Sequence, residues 1–220
     1  MSKKNYTHII FVLDRSGSMQ SIRENIITGF NEFLNGQQIA EGDATATLIQ
    51  FDNFYEEHFS FRPIREVQPL NKESFVPRGM TALHGAIGKA MHDEGVKLAN
   101  MPDSRRPDKV VMVILTDGGE NDSHHNDWSK QYNAAKVASN TKHQQERYGW
   151  QFIYLGANQD AVREAATIGI NALTAVDYDA TQSGVHTAFK MSSDKLRSYR
   201  GSNNAADLCY SAAEKASHKQ

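Results

Sequence analysis

Short apolar runs alternate along the chain with longer stretches of helical period. Residues 6–13 and 110–115 are apolar on both faces, which predicts strands covered on both sides in a parallel sheet. Residues 46–51 and 151–155 repeat the pattern less fully, and 171–176 predicts a last strand. Residues 54–61 follow the turn-type pair Asp52-Asn53 and predict a short edge hairpin, while Pro63 and Pro69 place the next stretch in a loop.

Between these runs, apolar residues recur every three to four positions. Ile22, Ile26, Phe30, Phe33 and Leu34 form one stripe; Leu83, Ala86, Ile87, Ala90 and Met91 a second; Trp128, Tyr132, Ala135 and Ala138 a third. Val162, Ala165 and Ala166 make a shorter one, with Asn158 as its N-cap and Gly169 as its stop. Val185, Phe189, Ser192, Leu196 and Tyr199 mark a last helix whose buried stripe contains one polar residue. The order β-α-β-β-α-β-α-β-α-β-α predicts an α/β fold: an open, mostly parallel six-stranded sheet with one short antiparallel edge strand and helices on both faces. A single domain is expected over residues 5–200. A polar tail follows at 201–220, partly helical or loosely ordered.

Composition narrows the function. Hydrophobic residues make up 39% of the 220 positions, enough for a core without disulfide staples. Twenty-four Lys and Arg against 26 Asp and Glu give a net charge of -2, which argues against nucleic acid or an anionic membrane as the general partner. Six apolar residues at 110–115 fall far short of the about 20 that span a bilayer. The five at 9–13 are fewer than the about 7 that a signal peptide needs. One cysteine, Cys209, excludes an internal disulfide and a cysteine-based zinc cluster; a reducing, cytoplasmic setting is expected.

In an open parallel sheet, ligands gather at the carboxyl ends of the strands beside the point where strand order reverses. Three loops answer that description: Asp14-Arg15-Ser16-Gly17-Ser18, Arg78-Gly79-Met80-Thr81-Ala82-Leu83, and Leu115-Thr116-Asp117-Gly118-Gly119-Glu120. Asp14, Ser16, Ser18, Thr81 and Asp117 offer carboxylate and hydroxyl oxygens, the hard donors that suit Mg²⁺ or Mn²⁺. Residues two apart in an extended turn point the same way, so Asp14, Ser16 and Ser18 converge while Arg15 points outward. Two carboxylates neutralise one dication and leave a replaceable position, which an Asp or Glu of a partner protein can complete.

These residues resemble the metal-ion-dependent adhesion site of von Willebrand factor type A domains. Asp14, Ser16 and Ser18 match its Asp-x-Ser-x-Ser element, Thr81 the threonine of its Gly-x-Thr loop, and Asp117 the aspartate after the central strand. The resemblance covers roughly residues 5–200. It implies a Rossmann-like fold, an ion held directly or through water by these five residues, and a stand-alone adaptor that binds protein through the ion rather than an enzyme.

Two alternatives remain at this point. Asp14 ends the first strand, where an aspartyl-phosphate nucleophile would sit in a metal-dependent phosphoesterase or phosphotransferase, with His84 as a candidate base; position 16, however, is Ser rather than a second acid, and no phosphate loop is present. A scaffold whose metal site is unused for binding is the other. Arg15, Arg78 and Glu120 flank the five and are candidate partner contacts, against the reading that they are solvated surface. His124-His125 is a poor zinc pair, Trp128, Tyr132 and Trp150 read as packing residues, and Cys209 as an inert thiol.

Overall fold

A computed structural model of the chain describes residues 3–157 and 160–216. The strands β1 (Lys3–Asp14), β2 (Asp43–Phe51), β3 (Tyr55–Pro63), β4 (Pro107–Thr116), β5 (Gln151–Ala157) and β6 (Ala175–Tyr178) form one sheet in the order β3-β2-β1-β4-β5-β6. All neighbours pair in parallel except β2 and β3, which form the expected antiparallel edge.

The uniform apolar run of β1 has a direct cause. Ile9, Phe11 and Leu13 face α1 (Arg23–Gln38) and α5 (Gln182–Ser202), while Ile10 and Val12 face α2 (Leu83–Asn100), α3 (Ala134–Tyr148) and α4 (Ala161–Thr167). Helices cover both faces, so no position in the run is free to be polar without a partner. His8, buried in the same strand beside the polar Thr7, is matched inside the core. Its Nε2 lies 2.8 Å from Glu94 Oε2 and its Nδ1 2.9 Å from Thr45 Oγ1, and Lys97 Nζ donates to Glu94 Oε1 at 2.7 Å. Burial pushes the His8 pKa down, so the imidazole is neutral; its hydrogen bond and that of Lys97 hold Glu94 ionised against its own burial.

Three local expectations are corrected. The third helix starts at Ala134 behind an Asn133 cap, not at Trp128. Trp128 and Tyr132 stand on two successive tight turns, closed by Ser129 N to Asn126 O (3.1 Å) and Tyr132 N to Ser129 O (2.8 Å), which mimic helical spacing. The last strand begins at Ala175, because the Asn171 side chain accepts from Leu173 N and winds residues 172–174 into a 3-10 turn. Asn158, the expected cap of the fourth helix, lies outside the described residues; Asp160 accepts from Arg163 N and caps α4 instead. Gly169, with φ +77°, does end that helix region.

In the stretch after residue 201, expected as a polar tail either partly helical or loosely ordered, residues 205–210 pack onto the core. Leu208 and Tyr210 are buried against the α5 face; Tyr210 N donates to Leu173 O at 2.7 Å, and its hydroxyl meets Ser192 Oγ at 2.7 Å. Ser192 is thereby explained as the one polar member of its stripe: it also donates to Ala188 O, so its hydroxyl is satisfied inside the core. A short α6 (Ala212–Ala216) follows.

Candidate metal centre

The connection from β1 leads to β2 on one side of it, and that from β4 leads to β5 on the other. Strand order therefore reverses between β1 and β4, and their carboxyl ends flank a crevice. Asp14 is the last residue of β1, Thr116 the last of β4, and Asp117 follows at once.

Asp14 is fully buried and held by both oxygens. Oδ1 accepts from Ser16 N at 2.7 Å and Oδ2 from Thr116 Oγ1 at 2.6 Å. Ser16 Oγ lies 3.1 Å from Ser18 Oγ, which donates to Asp117 Oδ1 at 2.7 Å. Thr81 is fixed from the third loop, its N donating to Asn121 Oδ1 and its carbonyl accepting from Asn121 N and Asp122 N. A Cβ placed on Gly118 would lie 3.8 Å from Thr81 Oγ1 and 3.9 Å from Ser18 Oγ. The five residues singled out in the sequence thus meet in one place, beside Gly118.

Burial pushes the Asp14 carboxyl up to about 7, with the charge of Asp117 adding and the bonds from Thr116 and Ser16 opposing. Burial likewise raises Asp117 against the bond from Ser18. One fully buried carboxylate and one partly buried one, linked through neutral hydroxyls, favour a positive charge in their midst. Among the described residues no group of three His, Cys, Asp or Glu side chains gathers, so the donor set is one of hydroxyls as much as carboxylates. Hard oxygens of this kind fit a hard divalent cation.

The flanking residues behave differently from expectation. Arg15 does not point outward: it is buried, with Nε 3.1 Å from Asp52 Oδ2 and its two terminal nitrogens each 2.7 Å from a Glu56 oxygen. Arg78 is half exposed but reaches the same two acids, Nε to Asp52 Oδ2 at 2.8 Å and Nη2 to Glu56 Oε1 at 2.7 Å. The Arg15 hydrogen bond is the main reason the Glu56 carboxyl is held down to about 2. Glu120 is not a solvated loop acid; it folds back to accept from His84 N, Ser123 N and Asp122 N, tying the end of the Asp117 loop to the start of α2. His84 Nδ1 is 3.7 Å from Glu120 Oε2, and burial lowers its pKa. The rings of His124 and His125 lie 3.8 Å apart, tilted at 42°, and His125 Nδ1 is 3.2 Å from Asp122 Oδ1. Trp150 and Tyr132 are buried as expected, and Trp128 is partly so.

Several residues that position the site were missed. Thr116 carries Asp14, yet a threonine at the end of a buried strand looks like any β-former. Asp52 mirrors Asp14 one strand over, and its position just past β2 was the available signal. Tyr178, at the end of β6, has a buried hydroxyl with no hydrogen-bond partner among the described residues. Burial and then the charges of Asp117 and Asp14 push its phenol up.

The sequence profile of the von Willebrand factor type A domain matches residues 8–194. No curated protein sequence matches the chain. Among solved structures, proximal thread matrix protein 1 of the mussel byssus is similar at 16% identity with a TM-score of 0.59, over 86% of this chain and 47% of that one. A structure of the same mussel protein with a zinc-occupied MIDAS motif is similar at 15% identity with a TM-score of 0.52, over 92% of this chain and 45% of that one. The manganese-loaded TRAP protein of Plasmodium vivax is similar at 13% identity with a TM-score of 0.53, over 84% of this chain and 74% of that one. At these identities the likeness is one of fold. The chain spans about half the length of the mussel protein.

Proposed function

The chain belongs to the von Willebrand factor type A family, and we propose that it acts as a metal-dependent module that binds another protein through an acidic side chain. The observation that carries this reading is the junction at Ser18, whose hydroxyl ties the loop after β1 to Asp117 after β4. Asp14, Ser16, Ser18, Thr81 and Asp117 would hold Mg²⁺ or Mn²⁺, directly or through water. The ion supplies a Lewis-acidic position at which an Asp or Glu of the partner can bind.

The protein's own residues set the conditions for that. Thr116 and the Ser16 amide fix the Asp14 carboxylate, and Ser18 orients Asp117. Two carboxylates balance a dication and the hydroxyls add no charge, so a third carboxylate is not repelled. Zinc in the MIDAS motif of the mussel protein and manganese in the loaded TRAP protein support a divalent ion in this fold. The reading is an adaptor rather than an enzyme. Asp14 is fully buried and both its oxygens already accept hydrogen bonds, which suits a held ligand better than a nucleophile open to a phosphoester.

Calorimetric titration with Mg²⁺ and Mn²⁺ tests the site, comparing wild type with Ser18→Ala and Asp117→Ala. Affinity should fall at least about tenfold in either variant, the scale at which groups supporting a metal matter. Retention of protein partners on immobilised wild type should require Mg²⁺ and be lost in EDTA. Unchanged metal affinity in both variants would remove the site assignment, and partners indifferent to EDTA would move recognition elsewhere.

A further inference from the structure

Large apolar side chains stand uncovered beside the metal loops. Among the described residues, Phe54, Val76 and Met80 are exposed at 57%, 47% and 49%, on the turn after β2 and the loop before α2. Scattered exposed hydrophobics need no explanation, but three on two touching loops at a binding site do.

Their exposure is not the result of a loose loop. Ala82 N donates to Asp52 O at 3.2 Å, and Trp128 Nε1 to Asn53 O at 3.2 Å. Gly79 has φ +67°, and a Cβ there would fall 2.0 Å from Asn53 Oδ1, so the two loops meet with no space for a side chain. Met80 is held from both sides: the Gly79 carbonyl accepts from Gly17 N at 3.1 Å, and Thr81 N donates to Asn121. A fixed backbone thus presents a methionine next to a residue of the metal centre.

The charge beside it is already spent. Arg78 lies over the Phe54 ring at 5.7 Å and gives its hydrogen bonds to Asp52 and Glu56. With Arg15, these make two cations against two anions. A second acid on a partner therefore finds no open cation here, whereas an apolar group finds a ring, a thioether and the face of a paired guanidinium.

We propose that Phe54, Arg78 and Met80 form a shelf for a bulky apolar side chain that neighbours the partner's metal-bound acid. The recognised element is then an acidic residue and an apolar one a few positions apart. This rests on the metal-dependent reading above. The unbranched methionine suits an apolar side chain of varied shape, because it adapts where a branched residue would not.

The test is selection from a displayed random heptapeptide library on the full chain in Mg²⁺, with release by EDTA. Wild type should retain peptides that carry Asp or Glu with a bulky apolar residue within a few positions. The double variant Phe54→Ser/Met80→Ser should still demand the acid and still release in EDTA, but lose the apolar preference. A wild-type-selected peptide should bind the double variant about tenfold more weakly, as expected for losing one buried apolar contact. Replacing its apolar residue with Ser should cause the same loss on wild type and little further loss on the variant. Acid-bearing peptides without apolar enrichment, or an unchanged preference in the double variant, would overturn the shelf while leaving the metal reading intact. Peptides retained in EDTA, or no peptide retained in Mg²⁺, would remove the metal reading and the shelf with it.

Discussion

Thr116 Oγ1 donates to Asp14 Oδ2 across 2.6 Å, binding the end of β4 to the end of β1 inside the protein. The same hydroxyl is 3.0 Å from Gly118 O and accepts from Gly118 N at 3.2 Å, so it also shapes the turn that carries Asp117. Replacing Thr116 by the near-isosteric Val removes these bonds without leaving a cavity. The buried Asp14 oxygen is then unmet, at a cost of about 1–3 kcal/mol. Urea unfolding should show that loss, and Mg²⁺ titration should show weaker binding although no proposed ligand has been changed.

Asp52 and Glu56 bind the same two arginines yet should differ in weight. Asp52→Ala leaves the buried Arg15 guanidinium short of a partner and should cost about 3 kcal/mol in urea unfolding. Glu56→Gln alters a half-exposed carboxylate and should cost under about 1 kcal/mol. Equal effects would mean that the cluster is not anchored at Asp52.

The neutral His8 makes stability depend on pH. Its folded pKa is below the 6.5 of the unfolded chain, so its contribution is present above about pH 6.5 and is lost as pH falls toward the folded value. Each such group adds a slope of at most about 1.4 kcal/mol per pH unit. His58 and His84, also lowered by burial, act in the same direction. Asp14, raised by burial to about 7, acts in the opposite direction over the same range, so the check is a difference: between pH 7.5 and about 5 the urea midpoint of wild type should fall relative to that of His8→Gln.

Leu208→Ala separates a docked terminus from a loose one. Leu208 is fully buried, and its truncation should cost about 2–5 kcal/mol. A thermal melt unchanged from wild type would show that this segment contributes nothing to the core.

The elements that were readable in the sequence are those whose signal is local. The unbroken apolar runs of β1 and β4 follow from cover on both faces, and the two-residue spacing of Asp14, Ser16 and Ser18 follows from strand-end geometry. Arg15 was misread because its burial depends on Asp52 and Glu56, 37 and 41 residues further on and on or beside neighbouring strands. Without those partners a charged side chain is expected in water. Trp128 and Tyr132 misplaced the start of α3 because a spacing of four fits two tight turns as well as one helical turn. Leu208 and Tyr210 were lost among polar neighbours, as two apolar residues carry no period.

The adjacency of β1 and β4 also bears on how the chain folds. Ser18 and Asp117 are 99 residues apart, and the strands that bring them together are joined only after β2, β3 and α2 have been accommodated between them in sequence. No local fragment contains the proposed ion site, so closing it requires a long-range pairing of the kind that slows folding. An ion with affinity for the assembled site alone then acts as a ligand of the native state by mass action. At about 100 times its dissociation constant it deepens the native well by about 2.7 kcal/mol. The concentration of the ion would thereby bear on how much of the chain is folded as well as on how much of it can bind.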